Sequence, residues 1–222
     1  MKESIGYITE ISNNGHYQLK LRSTDNGTIM AGQYFLTELQ HPLEKQPHKR
    51  EIFIASPINQ NEILLFGQFN DNILPGGTLR LFGPLGKGFQ KPIRNKLLCL
   101  SLGKYLSILI SAAKSNPNPF QKIVLITNKP TDTTFISEDV EIRTIEDLGV
   151  MIEWCDEILI EINANDVERL SPFQRMIGNR KVQILVDVPM PCHAASNCGI
   201  CGLKIWGKHY SICQDGPVIV VI

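Results

Sequence analysis

The feature that most constrains the fold is a change in the pattern of apolar residues near residue 92. Before it, short strand-like runs are separated by turn sequences such as Asn13-Asn14-Gly15 and Pro75-Gly76-Gly77. The first two runs, residues 4–12 and 16–22, predict a hairpin. Five or six short strands within about 90 residues predict a small antiparallel β-barrel.

Beyond residue 92, apolar strand-like segments alternate with segments of helical length. Strands are predicted at residues 96–100, 122–127, 140–143, 157–162 and 182–188, and helices at 104–115, 144–154 and 166–177. This alternation predicts a parallel sheet that is covered on both faces. We therefore expect an α+β multidomain protein, with a β-barrel at residues 1–92, an α/β domain at 93–188 and a small C-terminal unit at 189–222.

Composition excludes several classes of protein. The 222 residues are 43% hydrophobic and 20% charged, which is ordinary for a globular chain. No apolar run approaches the ~20 residues of a membrane-spanning helix, and residues 1–4 lack the apolar stretch of a secretory signal. The net charge is zero, so nothing global indicates nucleic acid. We expect a cytoplasmic protein that binds neither membrane nor nucleic acid.

The charge is nevertheless unevenly distributed along the chain. Residues 72–131 contain nine basic residues and no acidic ones, whereas residues 138–168 contain eleven acidic residues and only Arg143 as a base. A basic block beside glycine turns can hold an anion or the acidic face of a partner. Two solvated surfaces of opposite sign are the alternative. The acidic block is a poor place to bind a dinucleotide phosphate.

Four of the six cysteines lie in the last 31 residues, in the pattern C-x5-C-x2-C-x11-C. They are Cys192, Cys198, Cys201 and Cys213. Plant-type [2Fe–2S] proteins use C-x4-C-x2-C with a remote fourth cysteine, so this spacing has one extra residue. The segment around the first three cysteines is rich in small residues and glycine, which suits a tight loop whose backbone amides approach the sulfides. Four thiolates also suit zinc, although zinc ribbons usually have two C-x2-C pairs. A third alternative is that they bind no metal.

The other two cysteines have a different setting. Cys99 lies in an apolar run, and Cys155 follows a tryptophan. Both are interpreted as small buried hydrophobic residues.

Two segments resemble a known family. The sequence PMPCHAASNCGICGLKIWGKHYSICQDGPVIVV and the earlier FGPLGKGF, Phe82–Phe89, resemble the iron–sulfur flavoprotein subunit of NAD-linked dihydroorotate dehydrogenase. The resemblance implies a fold of the ferredoxin–NADP reductase superfamily. It also implies a [2Fe–2S] cluster on the four cysteines, a bound FAD, a partner that is a flavin-containing dehydrogenase catalytic subunit, and a place in pyrimidine biosynthesis.

The same resemblance implies a flavin site, which is degraded in this sequence. Arg50 aligns with the family arginine that meets the flavin pyrophosphate or, alternatively, is a surface arginine of the barrel. Ile52 and Phe53 replace the stacking tyrosine and the following serine. In FGPLGKGF the glycines are predicted to cradle the FAD diphosphate or, alternatively, to form a tight turn from barrel to sheet. They are Gly83, Gly86 and Gly88.

The nucleotide turn of the family is also degraded. Its glycine-rich sequence aligns with residues 100–109, where only Gly103 remains. Leu102 and Tyr105 are predicted to carry side chains into the nucleotide space, so NAD is not expected to bind. No catalytic acid, base or nucleophile is visible, and electron transfer requires none. The first functional hypothesis is electron transfer through the cluster, and possession of FAD is left open. The alternative is a regulatory or scaffolding homologue with a structural cluster or zinc.

Overall fold

The first unit of the computed structural model is a closed barrel of six antiparallel strands. The structure describes residues 2–13, 17–23, 29–39, 51–59, 62–67, 75–116, 118–127, 136–192 and 198–221. The strands follow the order β1-β2-β5-β4-β3-β6 around the barrel. Their bounds are β1 Glu3–Asn13, β2 Tyr17–Ser23, β3 Tyr34–Leu39, β4 Glu51–Pro57, β5 Glu62–Gly67 and β6 Thr78–Leu85. The predicted barrel is therefore confirmed.

Alternation along the strands fills the barrel. In β5, Ile63 and Leu65 are buried, and in β6, Leu79 and Leu81 are buried, because successive side chains of a strand face opposite sides. Arg80 lies between the two β6 residues on the outer surface, where it pairs with Glu3 at 2.6 Å. The barrel strands were predicted from sequence as short strand-like runs separated by turn sequences.

The second unit is a six-stranded sheet with the order β14-β11-β10-β7-β8-β9. Five strands run parallel, and β14 pairs antiparallel with β11 at one edge. The bounds are β7 Lys96–Ser101, β8 Lys122–Thr127, β9 Val140–Arg143, β10 Glu157–Asn163, β11 Lys181–Asp187 and β14 Val218–Val221. The predicted parallel sheet is confirmed. Its central strands are apolar runs because both of their faces are buried.

Helices cover both faces of this sheet. Helix α1, Leu106–Ala113, buries six of its eight residues against one face. The other face is covered by α2, Leu148–Trp154, by a 3-10 helix at Ala164–Phe173 and by α3, Gln174–Ile177. In the described part of the chain, no helix has the length and apolar character needed to cross a bilayer.

The helix predicted at residues 166–177 is mostly a 3-10 helix. Only its last four residues, Gln174–Ile177, are α-helical. The Asn163 side chain caps the start by accepting a hydrogen bond from the Asn165 N–H at 2.9 Å. Pro172 lies inside the segment, where it has no N–H to donate and disfavours α geometry at the residue before it.

The C-terminal segment is interleaved with the sheet. A hairpin of β12, Gly202–Ile205, and β13, Lys208–Ser211, precedes α4, Ile212–Asp215, and the chain then returns as β14. The last strand, assigned from sequence to a separate small unit, thus belongs to the central sheet. An iron–sulfur domain is not shown by the fold, and the predicted boundaries near residues 92 and 188 stay predictions.

Candidate functional site

The start of β12 and helix α4 bring two of the four clustered cysteines together. Cys201 and Cys213 are 3% and 9% exposed, and their thiols are hydrogen-bonded. The Ile212 N–H donates to the Cys201 carbonyl at 3.2 Å, which ties the two segments. Cys192 lies close enough to Cys213 to raise the pKa of its thiol electrostatically, while Cys198 is exposed. The structure therefore places Cys201 and Cys213 together, with Cys192 in their neighbourhood and Cys198 near solvent.

Tyr34 connects this cysteine group to the barrel. Its side chain is buried, and its hydroxyl donates to the Cys213 carbonyl at 3.4 Å. Burial raises the pKa of Tyr34, and the neighbouring cysteines raise it further. The hydroxyl consequently remains a proton donor at neutral pH. The cysteine group thus lies at the junction of barrel and sheet.

The donor chemistry of this group suits a soft metal centre. Thiolates are the ligands of iron–sulfur clusters and of structural zinc. Burial raises the pKa of Cys213 to about 11, with the Cys201 hydrogen bond adding to the effect, so without a metal it is a neutral thiol. Within the described residues, no three His, Cys, Asp or Glu side chains are arranged to hold one metal ion. Residues 193–197 lie outside the described part, and the cluster stays a prediction.

Protein atoms surround the glycines of FGPLGKGF. Gly86 has φ +70°, and a Cβ there would collide with the Gly216 carbonyl oxygen. The backbone N–H of Lys87 donates to that same oxygen at 2.7 Å, and the N–H of Phe89 donates to Ala31 at 2.8 Å. These contacts are explained if the glycines form a tight turn that joins the barrel to β14 and the sheet. A contact of Gly83, Gly86 or Gly88 with FAD stays a prediction.

The other predicted flavin residues are described only in part. Arg50 and the side chain of Phe53 lie outside the described residues. Ile52 is partly buried and packs against the apolar core beside α2. An aliphatic side chain in that position offers no aromatic ring for stacking on a flavin.

At the nucleotide turn, the two predicted obstructing side chains lie in the core. Leu102 packs into the core beside α2, and Tyr105 packs into the core beside α1. The prediction that they fill the nucleotide space is therefore wrong in its detail.

A residue that the sequence analysis did not select, Glu161, occupies the turn instead. Its buried carboxylate accepts from the Ser101 hydroxyl at 2.5 Å, the Gly103 N–H at 2.9 Å and the Tyr105 N–H at 3.3 Å. The available sequence signal was a charged residue inside an apolar strand.

A second carboxylate lies at the same end of the sheet. Asp187 pairs with Lys104 at 2.9 Å and accepts from the Tyr105 hydroxyl at 3.3 Å. The Asn163 side-chain amide donates to it at 3.5 Å. Burial raises the pKa of Tyr105, and Asp187 raises it further, so the hydroxyl remains a donor. Asp187, Lys104, Tyr105 and Asn163 are thus engaged with one another at this edge.

Comparison with known proteins shows the fold. No protein-family model and no curated protein matches the chain. It is similar to an NADH-dependent reduced ferredoxin-NADP oxidoreductase studied for flavin-based electron bifurcation, with TM-score 0.70 and 13% identity over 97% of this chain and 87% of that one. The FAD/NAD-binding domain of a nitric oxide dioxygenase from Vibrio cholerae O1 biovar El Tor gives 0.60 and 13%, over 84% and 99%.

A third similar structure is the ferredoxin reductase in carbazole 1,9a-dioxygenase. Its TM-score is 0.60 at 16% identity, over 80% of this chain, which spans only 63% of that reductase. These likenesses confirm the predicted ferredoxin reductase-type fold. Kinship with the dihydroorotate dehydrogenase subunit stays a prediction. Two of these proteins use or bind pyridine nucleotide, which is contrary to the expected absence of NAD. The expectation that NAD does not bind therefore depends only on the residues of this chain at the nucleotide turn.

Proposed function

We propose that this chain is an electron-transfer protein whose redox centre is a [2Fe–2S] cluster on Cys192, Cys198, Cys201 and Cys213. The observation that carries the proposal is the buried pair Cys201 and Cys213, with Cys192 in range, at the barrel–sheet junction of a ferredoxin reductase-type fold. Bound there, the cluster supplies one-electron chemistry. FAD in the barrel is the second proposed cofactor, as the resemblance implies.

The residues of the chain have distinct tasks in this proposal. The cysteines hold the cluster, and the burial of Cys201 and Cys213 excludes water from one side of it. Tyr34 positions the Cys213 backbone through its hydroxyl. Burial and hydrogen bonding around the thiolates adjust the reduction potential of such clusters. The exposed Cys198 leaves another side open to a partner.

The alternative is a regulatory or scaffolding protein in which a cluster or zinc stabilises the fold. The observation that favours it is that protein atoms pack against Gly86, and that the Lys87 and Phe89 N–H groups donate to backbone carbonyls of the chain. The turn predicted to hold the flavin is therefore occupied by protein. Such a protein would purify without flavin absorbance.

Metal and sulfide analysis of anaerobically purified protein tests the proposal. We expect iron and acid-labile sulfide in equal amounts and a reddish-brown spectrum that bleaches with dithionite. Zinc without iron would support the scaffolding alternative. A protein that contains neither metal, even after reconstitution with iron and sulfide, would contradict both.

Pyridine nucleotide is expected not to bind. Glu161 accepts hydrogen bonds from the N–H donors of the nucleotide turn. We therefore expect no saturable binding of NADH or NADPH with a dissociation constant below the millimolar range, which corresponds to about 4 kcal/mol of binding free energy. Isothermal titration calorimetry measures this directly. Micromolar affinity for either nucleotide would contradict the prediction.

The proposed partner is a flavin-containing dehydrogenase chain that docks over the cysteine loop. Residues 192–202 contain no charged residue, and Ile200, between two of the cysteines, is 60% exposed. Uncharged, partly apolar surfaces of this kind form the centres of interfaces. The similar reductase of the carbazole dioxygenase likewise serves another protein.

The variant Ile200→Glu tests this surface. We expect it to weaken the complex at least tenfold, about 1.4 kcal/mol, because a charge would be buried in the interface. The control is Val150→Glu, which alters an equally exposed apolar residue, 64%, on α2. Affinity is measured by co-purification and by surface plasmon resonance. Equal binding by the two variants would show that the partner docks elsewhere.

A further inference from the structure

The crevice in which parallel sheets bind ligands has a definite position in this fold. Ligands bind outside the carboxyl ends of the strands, where the strand order reverses. Here β7 is the first strand, with β8 and β9 on one side of it and β10 and β11 on the other. The reversal lies between β7 and β10, whose last paired residues are Ser101 and Glu161.

The Glu161 carboxyl group fills this position. Its side chain is 0% exposed, and its two oxygens accept from the Ser101 hydroxyl and from the N–H groups of Gly103 and Tyr105. These donors lie in front of α1, whose own N-cap residue, Tyr105, makes no side-chain cap. Backbone N–H groups at the positive end of a helix are the usual partners of a ligand phosphate.

Asp187 engages further polar groups of the crevice. It is paired with Lys104, the cation of the turn, and it accepts from the Tyr105 hydroxyl. Gly103 leaves no room for another group, because even a Cβ would collide with the Glu161 carboxylate. Two carboxyl groups of the chain itself thus engage donors at this end of the sheet.

We propose that Glu161 and Asp187 act as internal substitutes for the phosphate groups of a ligand and close the crevice to nucleotides. The two residues are therefore determinants of specificity, since they reject pyridine nucleotide where the fold would accept it. The inference concerns the crevice alone and does not depend on the cysteines binding a cluster. Together with the proposed function, it implies that electrons reach the chain from a protein partner rather than from NADH.

The variant Glu161→Ala tests whether the carboxyl group stands in for a ligand phosphate, because the variant should bind inorganic phosphate. Removing the carboxylate frees buried N–H donors, so the variant should have a lower Tm that phosphate restores in a saturable manner. Phosphate at about ten times its dissociation constant should raise that Tm by roughly 3–6 °C.

The control is Ile160→Ala, which changes a buried neighbour on the same strand without freeing a hydrogen-bond donor. Wild type and this control should show only the shallow, non-saturating effect of salt. If all three proteins respond to phosphate alike, the proposal is overturned.

A measurement on the unaltered protein covers the case in which Glu161→Ala does not fold. Amide hydrogen exchange followed by NMR should show slow exchange at Gly103 and Tyr105, since both N–H groups are bonded to a buried carboxylate. Fast exchange at both amides would overturn the proposal. Neither experiment requires the metal or flavin. Failure of this proposal is therefore distinguishable from failure of the proposed electron-transfer function.

Discussion

The Cys213→Ser variant is expected to purify with iron reduced to background, whereas Cys155→Ser retains the iron of the wild type. Serine is a hard, weakly acidic ligand that replaces a thiolate poorly at an iron–sulfur cluster. Cys213 is hydrogen-bonded to Cys201 at the candidate site. Cys155 is equally buried but lies in the core beside α2, and its thiol donates to the Ile152 carbonyl at 3.3 Å, a bond that serine can keep.

Iron and sulfide assays, with visible circular dichroism, measure this effect. The same loss is expected for serine at Cys192, Cys198 and Cys201. Thermal unfolding of each apo-protein separates loss of the ligand from loss of the fold. Full iron in Cys213→Ser would remove Cys213 from the proposed ligand set, and loss of iron in Cys155→Ser alone would place the centre elsewhere.

The substitution Gly86→Ala is expected to cause the largest loss of stability, about 2–5 kcal/mol of unfolding free energy. Positive φ costs a non-glycine residue roughly 1–2 kcal/mol, and displacing packed atoms costs about 1–3 kcal/mol more. At Gly86, with φ +70°, a Cβ would collide with backbone of the Gly216-Pro217 segment and would press on the Tyr34 ring. The turn joins the barrel to β14, so the collision cannot be relieved by one side chain.

Gly76→Ala is the matched control, because Gly76 has φ +85° and nothing within 4 Å of the added Cβ. It should lose only the conformational part, roughly 1–2 kcal/mol. Urea denaturation followed by circular dichroism compares the two. Equal losses would show that the turn yields to the added methyl group and is not the rigid junction described above.

Local patterns made much of this fold predictable. Short strand-like runs between turn sequences predicted a small β-barrel before any tertiary contact was known. The apolar run Leu97–Leu100 likewise marks a strand buried on both faces. The cysteine spacing placed Cys201 and Cys213 at one site because a short hairpin joins them.

Long-range pairing was not predictable from such patterns. Val218–Val221 is an apolar run that fits any sheet edge, and nothing in it specifies antiparallel pairing with β11. The strand is held in place where the backbone of Lys87 exchanges hydrogen bonds with Gly216, just before β14, and with Val218, its first residue. These partners are more than a hundred residues apart.

The sequence by itself determined the order of barrel and sheet and the spacing of the four clustered cysteines, because these depend on neighbouring residues. Only the tertiary structure decided what lies at the nucleotide turn. Leu102 and Tyr105 seemed to block it by local alignment, but both are drawn into the apolar cores. Glu161 reaches the turn from β10, since parallel pairing of β10 with β7 brings its carboxylate to Ser101, Gly103 and Tyr105. A buried carboxylate is stable only where donors surround it, and those donors are brought together by the fold.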